Sequence, residues 1–376
     1  METSTERPTL LKFQELALST DQNRQSGISG ARFPLLGLFG EVGSLLAEVK
    51  KRQRDGLAYE DFREVLLEEF GDVLWYLSNL ASRAGASLSD VEGIIGAGTS
   101  GERKNGNFGM TEEIEEFTGR LIHLAGIVGL LVNDFGNESG GEHSSTLAKQ
   151  LPNVFSALAE AAHSGGIDLR EAAGRNLQKT RDRWPGPNAV HTGLFDTTYE
   201  DDERIPRIVE MVFQEKVVGG KSYVIQKCNG IKIGDRLTDN MTEDDGYRYH
   251  DIFHLSFAAI LGWSPVVRAL FKCKRKSNPI VDEVEDGARA VIIEEGVSTW
   301  VFNYAGRHNY FEGLSTLDYD LLKRIRVLVR GFEVEQCSLW EWEKAILHGY
   351  RVFRSVRGSH GGIVTADLKQ RTMSVR

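Results

Sequence analysis

The stretch GLFGEVGSLLAEVKK (37–51), followed after a turn signal by LLEEFGDVLWYLSNLA (66–81), decides how the first half of this chain folds. In both segments apolar residues recur at three- and four-residue spacing, the pattern of amphipathic helices. Extended to their natural ends, the pattern predicts helices over 34–53 and 59–84, preceded by another over 8–24. Pro34 suits the first turn of its helix, where its missing N–H is not needed, and Asp55–Gly56 marks the turn between the pair. This is an all-α beginning.

Further along, GAGTSGERKNGNFG (96–109) is polar and Gly-rich and reads as a linker. Helical patterning resumes over 110–135, breaks at NESGGEHSS (137–145) and returns over 146–184. The second stretch repeats the first. LFGEVGSLLAE (38–48) aligns with LAGIVGLLVND (124–134), and EFGDVLWYLSNLASRAGASLSDV (69–91) with QLPNVFSALAEAAHSGGIDLREA (150–172). Across the alignment Ile127 stands for Glu41, Gln150 for Glu69 and Asn153 for Asp72, so the second copy has lost its acids. The expected organisation is a first helical repeat (1–107), a degenerate copy (108–187) and, after the Pro/Gly boundary RDRWPGPN (181–188), a separate domain (188–376). In that last part, RIVEMVFQEKVVGGKSYVIQKCNGIKIGD (207–235) predicts a small β-hairpin element turning at Gly219–Gly220, with a further turn at Asn229–Gly230. Helical periodicity dominates 247–272, 280–306 and 316–355, so the fold class is mainly all-α.

Of the 376 residues, 41% are hydrophobic and 26% charged, a globular composition that excludes disordered and fibrous classes. The net charge of −9, from 45 Lys+Arg against 54 Asp+Glu, is opposite to what drives nucleic-acid binding, so no nucleic-acid partner is expected. Cys228, Cys273 and Cys337 are odd in number and lack CxxC spacing, which fits neither a disulfide framework nor a zinc site and suits a reducing cytoplasm. No apolar run reaches the roughly 18 residues of a membrane helix, and no leader pattern opens the chain; the expectation is a soluble, uncleaved protein without a membrane partner.

Chemistry concentrates on the first helix pair. Glu41, Ser44 and Glu48 share one helical face; Glu69 and Asp72 share a face of the next helix, with Glu68 beside them. Leu45, Val73 and Tyr76 at neighbouring positions put part of this acidity near the buried side. Carboxylates facing each other without compensation raise one another's pKa, and a hard divalent cation resolves the conflict. The alternative is a solvated face paired with Lys50, Lys51 and Arg52.

With those residues in place, the chain over about 8–185 resembles the MazG-like, all-α nucleoside triphosphate pyrophosphohydrolases, whose pattern is an acidic ExxE-type helix followed by ExxD. FQELALST (13–20) and GIDLREAAGRNLQKTRDRW (166–184) are similar to that family's flanking segments. The resemblance implies a helical bundle that hydrolyses a nucleoside triphosphate to the monophosphate and pyrophosphate with Mg²⁺, or Mn²⁺ in its place. It carries metal-ligand roles to Glu41, Glu69 and Asp72. Ser44 stands where the family has a second Glu. Ser44 could bind through water, Glu48 could replace the missing charge, or a second metal could be lost with most of the activity. Glu68 is a further ligand or the base for the attacking water. Lys50, Lys51, Asn176, Lys179 and Arg183 are candidates for phosphate, and Tyr76 for the base pocket. Family members pair helical units across a dimer, which implies a homo-oligomer or, in a duplicated chain, an internal pseudo-dimer.

The last domain offers a second candidate site. YHDIFH places His250 and His254 at i, i+4 with Asp251 adjacent, and the helix after it carries Glu294 and Glu295, a plausible metal set. The motif also resembles the His–Asp pair of HD-type phosphohydrolases, without an upstream histidine at the required spacing. The basic run KCKRKS (272–277) reads as a solvated loop or a phosphate contact. Residues 188–376 carry no resemblance to a named family. Three functions therefore compete: the pyrophosphohydrolase, a nucleotide-binding sensor with little turnover that regulates the last domain, and a hydrolase centred on the His/acid cluster.

Overall fold

A computed structural model describes residues 7–22, 28–88, 111–137, 143–186 and 188–376. The expected linker at 96–109 and most of the break at 137–145 lie outside the described residues. The chain divides into two compact units, Met1–Trp184 and Pro185–Arg376; the boundary expected from sequence was 187/188.

The first unit is helical throughout: α1 (Leu10–Ser19), α2 (Arg32–Asp55), α3 (Phe62–Ala84), α4 (Thr111–Asn137), α5 (His143–Ser164) and α6 (Leu169–Arg183). Each helix buries the stripe its spacing laid out. Leu38, Val42, Leu45 and Val49 line α2; Leu66, Phe70, Val73, Leu74 and Leu77 line α3; Leu121, Leu124, Val128 and Leu131 line α4. These residues, with Val154, Leu158 and Ala161 of α5, form one core. The two helix pairs pack like on like, α4 against α2 and α5 against α3, the pairing an isologous contact would give. Helix α6 lies against α3 and α1. Asp168 caps α6 by accepting from the Arg170 and Glu171 N–H groups, which fixes where its later turns fall.

The second unit wraps helices against a sheet. A five-stranded antiparallel sheet in the order β3-β2-β1-β4-β5 comprises β1 (Ile208–Val218), β2 (Lys221–Cys228), β3 (Ile231–Leu237), β4 (Gly361–Asp367) and β5 (Thr372–Val375). The β1–β2 hairpin turns at Gly219–Gly220 as expected, pairing Val217 with Ser222 and Met211 with Cys228. The element is larger than a hairpin because the chain returns after its last helix: β4 pairs with the other edge of β1, Val209 opposite Ala366. Helices α7 (Asp251–Leu261), α8 (Pro265–Phe271), α9 (Pro279–Val284), α10 (Ala288–Gly306), α11 (Tyr319–Leu328) and α12 (Leu339–Gly358) complete the unit. Helix α7 is buried almost all round and packs on α12, where the Ser256 hydroxyl donates to the Ala345 carbonyl at 2.6 Å. The expected basic loop is partly internal. Arg275 is buried and its Nη2 reaches Asp286 and Glu333 at 2.7 Å each. No single helix among the described residues is long and apolar enough to cross a membrane.

Candidate functional site

Glu41 on α2 and Glu69 and Asp72 on α3 meet in space. One carboxylate oxygen from each lies within 4.8 Å of the other two. Three acids this close cannot all ionise cheaply. Burial, then the Asp72 and Glu41 charges, push the Glu69 carboxyl up to about 8. Burial and Asp72 raise Glu41; burial raises Asp72 against the opposing pull of Lys179. Glu69 Oε2 is buried and has no hydrogen-bond partner.

The other side of the cluster comes from α6. Asn176 Nδ2 donates to Asp72 Oδ1 at 2.7 Å, and Lys179 Nζ pairs with Asp72 Oδ2 and with Glu68 Oε1 at 3.0 Å. Gly71 makes this approach feasible: a Cβ there would stand 2.7 Å from the Ala172 carbonyl oxygen and 2.9 Å from Asn176 Cβ. Flanking ion pairs, Arg63 with Glu171 and Arg175 with Glu64, bind the same two helices together, and Arg175 also pairs with Glu171 within α6. Tyr76 lies against α2 at Gly37, where a Cβ would meet its ring within 2.2 Å, and is flanked edge-on by Trp75. Burial and then the Glu41 charge raise its hydroxyl pKa, consistent with a ring beside the acids.

The remaining residues expected at this site have surroundings of their own. Glu48 is buried one turn beyond Ser44, and its carboxylate is held by Lys51 Nζ at 2.6 Å and by the Tyr59 hydroxyl, outside the three-acid group. Lys51 is therefore engaged with Glu48, while Lys50 is exposed on α2. Ser44 is half-buried on α2. Arg183, buried at the end of α6, has its guanidinium 5.8 Å over the Trp184 ring. Gln150, aligned with Glu69 in the expected repeat, donates to Asp134 at 2.7 Å, and Asn153, aligned with Asp72, is exposed. A neutral amide–carboxylate bond thus takes the place of the acid cluster. Sequence reading overlooked Tyr59, Gly71 and Gly37 as parts of this region; a glycine inside a strongly helical pattern, which costs about 1 kcal/mol relative to alanine, was the available signal for the last two.

In the second unit His250, His254 and Glu295 also bring ligand atoms within 4.8 Å of one another. Glu294 is buried beneath them and accepts from His254 Nδ1, the Ser264 hydroxyl and the Val266 N–H. Asp251 lies 3.2 Å from His250 Nε2 and accepts from Gln226.

Residues 190–376 match the MazG C-terminal domain. The match falls on the half that carries the sheet and the His/acid cluster, for which the sequence offered no family resemblance. The Gene 37 protein of Mycobacterium phage L5 is 39% identical over 66 residues, which is 17% of this chain and 58% of the phage protein, so the similarity spans little more than half of that relative. No solved structure matches.

Proposed function

We propose that the N-terminal unit is a Mg²⁺-dependent nucleoside triphosphate pyrophosphohydrolase. The observation that carries this reading is the convergence of Glu41, Glu69 and Asp72, with Glu69 Oε2 buried and unpartnered. An all-oxygen set of three carboxylates suits a hard divalent ion such as Mg²⁺, which keeps positions open for water and phosphate. The match of residues 190–376 to the MazG C-terminal domain supports the same direction. Bound among the three acids, Mg²⁺ would offset their charge and stabilise that of the phosphate oxygens.

The chain's own residues then have distinct tasks. Asn176 fixes the orientation of Asp72 by its amide hydrogen bond. Lys179, balanced between Asp72 and Glu68, is the cation placed to meet the triphosphate once the acids are otherwise compensated. Glu68, steadied by Lys179, is the base: it takes the proton of the attacking water as the new P–O bond forms and the bond to pyrophosphate breaks. Tyr76, set into the space left by Gly37, offers an aromatic wall for the base. Glu48, bound by Lys51 and Tyr59, supports the helix and takes no part in the chemistry.

The test is pyrophosphate release from a panel of ribo- and deoxyribonucleoside triphosphates by the full chain with Mg²⁺ or Mn²⁺. Asp72→Asn should abolish it and His254→Ala should retain it; the reverse outcome would move the chemistry to the second unit.

A further inference from the structure

The His/acid cluster of the second unit has the construction of a metal site, of a different chemical kind from the acid cluster. Both imidazoles have their Nδ1 atoms occupied by fixed acceptors. His250 Nδ1 lies 2.9 Å from the Tyr247 carbonyl, and His254 Nδ1 lies 2.8 Å from Glu294 Oε1. Each ring therefore donates from Nδ1 and offers Nε2 on its other side, where His254 Nε2 lies 3.4 Å from Glu295 Oε2 and His250 Nε2 lies 3.2 Å from Asp251 Oδ1. Metal-binding histidines are held in this way, with a carboxylate or backbone carbonyl fixing tautomer and orientation from behind.

The support behind His254 is rigid. Glu294 is fully buried, and besides His254 it accepts from Ser264 Oγ at 2.6 Å and from the Val266 N–H at 2.8 Å, so the N-terminus of α8 locks it. His250 is buried and stacks on Tyr247 with ring centroids 4.5 Å apart. At the centre, His254 is only 1% exposed and its Nε2 makes one long contact, 3.4 Å to Glu295 Oε2. A ring nitrogen this deeply buried and so loosely held by its one neighbour gains from a cation bound between the two. The Glu295 side chain is 40% exposed, which leaves an approach from solvent.

We propose that His250 Nε2, His254 Nε2 and the Glu295 carboxylate bind one borderline divalent transition cation of the Zn²⁺ class, with Asp251 at its edge. Two imidazole nitrogens and one carboxylate select such ions over Mg²⁺, which takes oxygen ligands. Three protein ligands leave a coordination position open, as in catalytic rather than purely structural zinc sites. Glu294 is a positioning residue that acts through His254.

The experiment is titration of the metal-free full chain with Co²⁺, whose visible d–d bands report nitrogen ligation, followed by displacement with Zn²⁺ in excess Mg²⁺. One equivalent should give bands that Zn²⁺ removes and Mg²⁺ does not, in wild type and in Asp72→Asn alike. Glu295→Gln and His250→Gln should each weaken binding at least about tenfold while the far-UV spectrum is unchanged. Glu295→Gln, at a partly exposed position, keeps the test decisive should the buried histidine variant misfold. Absence of such bands, bands unaffected by Glu295→Gln, or bands lost in Asp72→Asn would each overturn the proposal.

Discussion

Asn176 on α6 donates its amide to Asp72 on α3 at 2.7 Å, a bond between residues 104 positions apart that joins the last helix of the first unit to its acid cluster. Lys179, one turn on, adds the positive charge to the same carboxylate. The cluster is therefore a three-helix construction: α2 and α3 supply acids, and α6 supplies the compensation.

That compensation predicts the effect of removing it. Lys179→Met should destabilise the divalent-free protein by about 1–3 kcal/mol, because partly buried acids lose their counter-charge. Mg²⁺ should restore part of the loss. Urea unfolding with EDTA and with Mg²⁺ checks both, and a variant as stable as wild type in EDTA would show that the ion pair contributes nothing.

The closeness of α3 and α6 predicts a steric effect at Gly71. Gly71→Ala places a Cβ 2.7 Å from the Ala172 carbonyl oxygen, so the helices must separate, at a cost of about 1–3 kcal/mol. Gly129→Ala on α4, where a Cβ meets nothing within 4 Å, should be neutral or stabilising by up to about 1 kcal/mol. Thermal unfolding of the two variants side by side gives the comparison.

The helices themselves were legible because burial of a one-sided apolar stripe is a local, periodic requirement: Leu38, Val42 and Leu45 announce α2 without any partner in view. The acids Glu41, Glu69 and Asp72 could be grouped because spacing of three places side chains on one face. What spacing could not reveal was which partner each charge finds. Glu48 shares the face of Glu41 but is captured by Tyr59, which arrives from the turn after α2. Arg275 belongs to a basic run yet is buried between Asp286 and Glu333, 11 and 58 residues away. β4 follows a long helix and owes its place in the sheet to β1, more than 140 residues earlier, and β5 joins only through β4, so nothing local attaches this pair of strands to the rest of the sheet.

The elevated Glu69 carboxyl predicts a pH dependence. Its pKa rises from 4.5 to about 8 on folding, so the stability it contributes is fully present below 4.5 and is lost as pH rises through about 8. Without divalent ions, the melting temperature of wild type relative to Glu69→Gln should fall across that window, and Mg²⁺ should flatten the decline. Scanning calorimetry at a series of pH values measures it; a relative melting temperature that rises with pH would contradict the assignment.

In the second unit, Arg275→Met would leave the fully buried Asp286 without its bidentate partner. Breaking a buried pair from one side typically costs about 3–5 kcal/mol. Denaturation followed by the near-ultraviolet signal of the buried Trp263 and Trp342 should show that loss, whereas Arg376→Met, at an exposed pair with Glu210, should change stability by less than about 1 kcal/mol.

The most direct test of the central claim is Mg²⁺-dependent pyrophosphate release by the full chain, wild type against Asp72→Asn, across the common nucleoside triphosphates. The account predicts release from at least one nucleotide that Asp72→Asn abolishes while leaving the fold intact. Release that persists undiminished in Asp72→Asn, or tight nucleotide binding with no release from any of them, would contradict it.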